Sequence, residues 1–272
     1  MSTKKPVHVK SRNENFKDKT ATNIWYEKPS ADNPYLAAES YCQGYKLREL
    51  LEKRSFVDVF YLLFMGELPS ADKSQLLEQL MIAFINPGPR HPSTQAAMNA
   101  GISKVRYCNI LPISLAIHGG AYLGGSEVEQ SMRFFHSHHG QPVEDVVNKL
   151  IQENKAPEEG DWHICPGLGT HFGSIDFYQH KLAKDLQKLS GAGHFLAWGQ
   201  RFVDALAPHN MGWLSTGVAA AALCDLGFHP RTGAGLFQLF NAPGLLAHGL
   251  EMSTQPLTAM PFLDDKHYEI KK

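Results

Sequence analysis

Cysteine is scarce in this sequence, and what there is lies scattered. Cys42, Cys108, Cys165 and Cys224 form no CxxC pair, which argues against a metal site or a disulfide framework. A reducing cytoplasm is the expected setting. Long apolar runs are missing too. The stretch 56–65 carries Asp58 and is too short for a bilayer, which needs about 20 residues. The polar, basic start has no apolar core of a secretory signal. Neither sign of charge is in excess: 26 Lys and Arg face 27 Asp and Glu, leaving −1. No nucleic acid and no membrane are therefore expected as partners.

Several familiar chemistries are excluded by missing motifs. Pro166-Gly167-Leu168-Gly169 is not followed by Lys-Ser or Lys-Thr, so it is no P-loop. It follows no predicted strand, so it is no dinucleotide fingerprint. There is no GxSxG elbow, and no cysteine is convincingly paired with a histidine. Alternation with period two is almost absent.

Helix signals and histidine are what the chain has in quantity. Residues 1 to about 34 read as an irregular arm. Beyond them, helices are predicted over 56–65, 71–85, 93–103, 109–117, 143–153, 182–189, 194–207, 216–226 and 232–250. Ser55 and Ser70 cap the first two, and Gly66 stops the first. The expected class is all-α. The fourteen histidines supply acid–base capacity without locating a site. His136-Ser137-His138-His139 is too tightly spaced for an ordered metal site and reads as a solvated loop. The segment 86–92 reads as a stiff connector or a ligand-presenting loop. In His118-Gly119-Gly120-Ala121, two glycines let a ligand approach the backbone beside a histidine.

These pieces, in this order, resemble the citrate synthase superfamily, and within it the short citryl-CoA lyase-like members. The residues that carry the likeness begin with Gly44-Tyr45-Lys46-Leu47-Arg48-Glu49-Leu50, Ser55-Phe56, Tyr61-Leu62-Leu63 and Gly66-Glu67-Leu68-Pro69. They continue with Gly88-Pro89, His118-Gly119-Gly120-Ala121, Pro166-Gly167-Leu168-Gly169 and Leu226-Gly227-Phe228. The last are Pro243-Gly244-Leu245-Leu246-Ala247-His248 and Asp264-Asp265-Lys266-His267-Tyr268.

The resemblance implies a helical protein in two parts: a larger one from 35–124 and 227–272, and a smaller one from 125–226. It also implies a homodimer, an acyl-CoA thioester as substrate rather than a tightly bound cofactor, and C–C condensation or cleavage beside the thioester. His118 would hydrogen-bond the enolate oxygen. Pro166, Gly167, Leu168 and Gly169 would hold the CoA nucleotide. The acceptor side departs from the family. Thr170, followed by His171, stands where a histidine is expected, and Gly212 where the carboxylate base is expected. Asn86-Pro87 replaces Asp-His, and arginines are missing after Asp176 and in the closing helix. His171, Thr170 and His209 are then the candidates for reassigned catalytic roles, with Asp204 as a further candidate base. Two readings stay open: an enzyme acting on an acceptor other than oxaloacetate, or a catalytically degenerate homologue that binds a CoA-type metabolite or a partner protein.

Overall fold

The computed structural model describes residues 19–261, 264 and 266–271. Residues 1–18 of the expected arm, and Asp265 of the tail, lie outside them. By compactness the chain divides into 1–67 and 68–272.

In the first unit, β1 (Trp25–Pro29), β2 (Ala37–Cys42) and β3 (Tyr45–Lys46) form an antiparallel sheet in the order β1-β2-β3. Trp25 lies opposite Cys42 and Tyr26 opposite Tyr41. The expectation of an irregular arm to residue 34 is thus corrected over 25–29. Aromatic residues favour a pleated partner, and Tyr26 and Tyr41 bring their rings to 5.6 Å. Two helices come next, α1 (Leu47–Lys53) and α2 (Phe56–Met65). The start of α2 is a reciprocal cap: Ser55 Oγ accepts from Asp58 N–H, and Asp58 accepts from Ser55 N–H. Gly66 closes it at φ 77°.

The second unit holds the remaining helices: α3 (Ala71–Ala83), α4 (Pro92–Ile102), α5 (Ile110–His118), α6 (Gly125–His138) and α7 (Val143–Glu153). After β4 (His163–Cys165) and β5 (Leu168–Gly169) come α8 (Phe177–Gln187) and α9 (His194–Leu206). Then β6 (Gly212–Trp213) leads to α10 (Ser215–Asp225) and α11 (Pro230–Ser253). None of the described helices is long and apolar enough to cross a membrane. The three short strands form an antiparallel sheet in the order β4-β5-β6, each too short to show alternation in the sequence. Helix α6 is absent from the predicted helices, and the histidine tract expected in a solvated loop is its last turn. Val128, Met132 and Phe135 recur at helical spacing and are buried. His138 and His139 each place Nδ1 against the carbonyl four residues back.

Two packing relations hold this unit together. Helix α10 is buried over nearly its whole length through Val218, four alanines and Leu223; small side chains let it lie close to α6 and α9. Helix α11 packs on α4, α5 and α6. Within it Pro243 has no N–H to give, and the N–H of Gly244 goes to the carbonyl of Ile85, 2.9 Å away. That bond ties α11 to the segment after α3.

The α4–α11 crossing is as close as backbones allow. A Cβ at Gly101 would lie 2.0 Å from the Gly249 carbonyl oxygen. Gly101→Ala should therefore destabilise the fold by about 3 kcal/mol or more, read as a lowered thermal midpoint; a midpoint unchanged within error would show that the crossing is looser than described.

Candidate active site

The site begins in the segment 86–92. Asn86 turns the chain by accepting the Gly88 N–H through Oδ1 at 2.8 Å, and its Nδ2 donates to His248 Nε2 at 3.1 Å. The segment ends at His91, which caps α4: its Nδ1 accepts the Ser93 N–H at 3.1 Å, with Pro92 at the first helical position. His91 Nε2 lies 3.2 Å from the Leu123 carbonyl. Ser93 Oγ sits 2.6 Å from His91 Nδ1 and 3.2 Å from His118 Nδ1. One hydroxyl thus joins two imidazoles from different helix ends.

His118 closes α5 and is 0% exposed. Its ring stacks on Phe237, centroids 5.2 Å apart, and meets His91 edge-on at 4.9 Å. Its Nε2 has no hydrogen-bond partner. Burial, and then the neighbouring His91, push its pKa down to about 4, so the ring is neutral at pH 7. Burial lowers His91 as well, against the raising effect of the Leu123 carbonyl.

His118 lines a cavity of about 330 Å³. Small-molecule sites are about 300–1,000 Å³, so this one lies at the small end of that range. Phe237 and Asn241 of α11 share the lining, as do His171, Phe172 and Asp176. The turn His171-Phe172-Gly173-Ser174 is closed by His171 N–H to the Ser174 carbonyl at 2.8 Å and Ser174 N–H to the His171 carbonyl at 3.2 Å. Phe172 stands at φ 50°, an uncommon conformation for a bulky residue, and its ring stacks on His171 at 4.4 Å.

His171 Nδ1 is 3.1 Å from Asp176 Oδ2. The other oxygen of Asp176 caps α8, accepting from Tyr178 N–H and Gln179 N–H at 3.1 Å each. The hydrogen bond to Asp176 raises the His171 pKa against the opposing effect of burial. Burial works against ionisation of Asp176, but the hydrogen bonds from His171 and the helix amides hold its pKa below the usual carboxylate value. Helix α8 therefore begins five residues before the predicted start at 182, and Asp176 immediately before it was the cap signal that could have revealed both helix and dyad.

The other expected residues stand elsewhere. Thr170 is outside the cavity lining. Its hydroxyl accepts the Trp162 N–H at 2.8 Å and donates to Asp161 at 3.3 Å, so it secures a turn. His209 is exposed in the 3₁₀ turn Ala207–His209, and exposed Asp204 accepts from Gln200 at 2.8 Å; neither reaches the cavity. Gly212 is a buried strand residue whose Cβ would lie 3.0 Å from Ile175 Cγ2, so a carboxylate there would begin its path against an apolar side chain. Pro166-Gly167-Leu168-Gly169 forms the β4–β5 turn with Gly167 at φ 82°, a value that suits glycine. Its polar backbone is used inside the protein: Gly167 N–H donates to Glu127 at 3.2 Å and Gly167 C=O accepts from Leu214 N–H at 3.0 Å.

Sequence reasoning also missed Glu127, which is 4% exposed. Oε1 accepts from His163 Nδ1 at 2.9 Å and from Gly167 N–H; Oε2 accepts from Leu123 N–H at 2.9 Å and Thr216 Oγ at 3.0 Å. Among the described residues no group of three or more His, Cys, Asp or Glu could hold a metal ion.

These helices form a citrate synthase-like fold, similar to that of a short citryl-CoA lyase. Among solved structures, the chain is similar to citryl-CoA lyase from Hydrogenobacter thermophilus, with 23% identity and a TM-score of 0.75 over 93% of this chain and 94% of that one. It is also similar to ATP citrate lyase from Methanothrix soehngenii, solved with citrate and coenzyme A. There the identity is 15% and the TM-score 0.71, over 95% of this chain and 44% of that one. Citrate synthase from Thermotoga maritima is similar at 13% identity and a TM-score of 0.51, over 90% and 92%. No family model and no curated protein matches the sequence.

The His171–Asp176 pair gives a test of the site's electrostatics. His171, with its pKa raised in the fold, adds stability that is fully present below about pH 6.5 and lost as pH rises through the folded value. Asp176, with its pKa lowered, adds stability that is present above about pH 3.9 and lost as pH falls through its folded value. Asp176→Asn keeps a capping side chain and removes the charge. It should lower the His171 pKa, followed by NMR titration of the ring; an unmoved titration would show that the pair does not form.

Proposed function

We propose that this chain binds an acyl-CoA thioester and makes or breaks a C–C bond beside the thioester carbonyl, with an acceptor less charged than oxaloacetate. The observation that carries this reading is the Asp176-held imidazole of His171 on the same cavity as the buried imidazole of His118. The fold likeness supports the thioester part, since one similar structure is a citryl-CoA lyase and another was solved with coenzyme A.

In the proposed step, Asp176 holds His171 through Nδ1 and leaves Nε2 to exchange a proton with the carbon beside the thioester. The hydrogen bond to Asp176 raises the His171 pKa from the ordinary imidazole value, and an imidazole is the commonest acid–base group in catalysis. Among the described residues lining the cavity, Arg90 is the one guanidinium; paired two-pronged clamps for a dicarboxylate are not assembled there. On the expected two-part division, His118 and Phe237 would belong to the larger part and His171 and Asp176 to the smaller. A homodimer belongs to the same proposal. Ile113 and Ile117, exposed one turn apart on α5, support an apolar contact between copies, and light scattering should give twice the chain mass.

A second reading, a homologue that binds without turnover, is favoured by Gly212 facing Ile175 and by the internally bonded 166–169 turn. Acetyl-CoA in D₂O separates the two. The enzyme reading expects deuterium in the acetyl methyl group by mass spectrometry, with His171→Gln slower by on the order of 10²-fold. Binding by calorimetry without exchange favours the second reading. No binding at millimolar thioester removes both.

A further inference from the structure

The turn after Thr170 presents a bulky ring to the cavity in a costly backbone conformation. Phe172 stands at φ 50°, a region that bulky side chains avoid. Such strain persists only where the surroundings over-determine it. Here two hydrogen bonds between His171 and Ser174 close the loop. Gly173 N–H donates to Asp161 Oδ1 at 2.8 Å, and the Gly173 carbonyl accepts from Asn210 Nδ2 at 3.0 Å. Burial does not offset the strain, for the Phe172 residue is 70% exposed while lining the cavity.

A chain of short contacts joins this ring to the candidate acid–base pair and to a second aromatic residue. The Phe172 ring stacks on His171 at 4.4 Å. His171 Nδ1 lies 3.1 Å from Asp176 Oδ2, and Asp176 Oδ1 accepts the Tyr178 N–H at 3.1 Å. Tyr178 is 67% exposed and lines the same cavity. Tyr122 lines it too, but its ring is already stacked beside His163, 6.1 Å away and 15° from parallel. Phe172 and Tyr178 are therefore the open aromatic groups next to His171.

We infer that Phe172 and Tyr178 form an aromatic subsite beside His171, and that the acceptor is a neutral carbonyl compound bearing a planar aromatic ring. This rests on the thioester reading and names its acceptor class. A flat ring meets the two side chains in offset-stacked or edge-to-face contact, which a charged aliphatic acceptor cannot make. In the step itself, the carbon beside the thioester gives up a proton and bonds to the acceptor's carbonyl carbon. The carbonyl oxygen takes up a proton, so the addition balances without a further reactant.

Calorimetry tests this with acetophenone and cyclohexyl methyl ketone, which share a carbon skeleton but not a flat ring, each alone and with acetyl-CoA present. Acetophenone should bind about three- to tenfold tighter, and Phe172→Asn and Tyr178→Leu should each shrink that preference. Asparagine tolerates the left-handed conformation, so Phe172→Asn should keep or raise the thermal midpoint while the preference falls. A lowered midpoint would make Phe172 a packing residue and count against the subsite. Equal binding of the two ketones, a preference unmoved by both variants, or no binding of either ketone in any condition would overturn it. Displacement of acetophenone by adenosine would give the ring faces to a nucleotide base and overturn the acceptor assignment. Deuterium exchange into acetyl-CoA reports the thioester step separately. Exchange without a ketone preference removes the subsite alone, and a ketone preference without exchange keeps the subsite and removes the turnover reading.

Discussion

The buried carboxylate of Glu127 is the joint on which the site is assembled. Each of its oxygens takes two donors, and the four come from separate pieces of chain: the turn after α5, the start of β4, the β4–β5 turn and the start of α10. Burying a carboxylate is costly unless its oxygens are filled, so these four segments are held to one arrangement. The consequences reach the cavity. Leu123, fixed by its N–H, offers the carbonyl that sets the tautomer of His91. The β4–β5 turn, fixed at Gly167, receives the Leu214 N–H and so positions Leu214 and Ser215 in the lining. The glycine-rich turn thus has a structural task independent of any nucleotide.

That joint imposes a second constraint, one of proton count. Ser93 has a single hydroxyl proton and two imidazole neighbours, so it can donate to only one of them at a time. The Leu123 carbonyl, the His91 ring and the Ser93 hydroxyl thus form one polar chain that ends at His118 on the cavity wall. Burial of both rings disfavours their charged forms.

The helices were legible in the sequence where caps were unambiguous. Ser55 and Gly66 bracket α2, and the predicted 143–153 coincides with α7. His118 was legible as a cavity residue because two glycines stand directly after it. What escaped notice was mostly polar and non-local. Glu127 draws its partners from up to 89 residues away, and no local pattern marks it. Asn241 looks like any helical asparagine until its amide is seen to be half satisfied. Thr170 misled for the opposite reason: its place in a motif suggested chemistry, but its hydroxyl is spent on Trp162 and Asp161. Asp176 could have been found, since an aspartate before a helical run is a cap signal.

The charges on the cavity argue about what it excludes as much as what it admits. A tricarboxylic acceptor would bring several negative groups into a space lined by Asp176. Arg90 supplies one guanidinium, and any positive charge on His171 is already met by its partner carboxylate. Each further carboxylate would enter without a counter-charge and lose its hydration, a cost that discriminates against such ligands more strongly than a missing methylene would. On the reading proposed above, the cavity of this chain is arranged against a citrate-like acceptor.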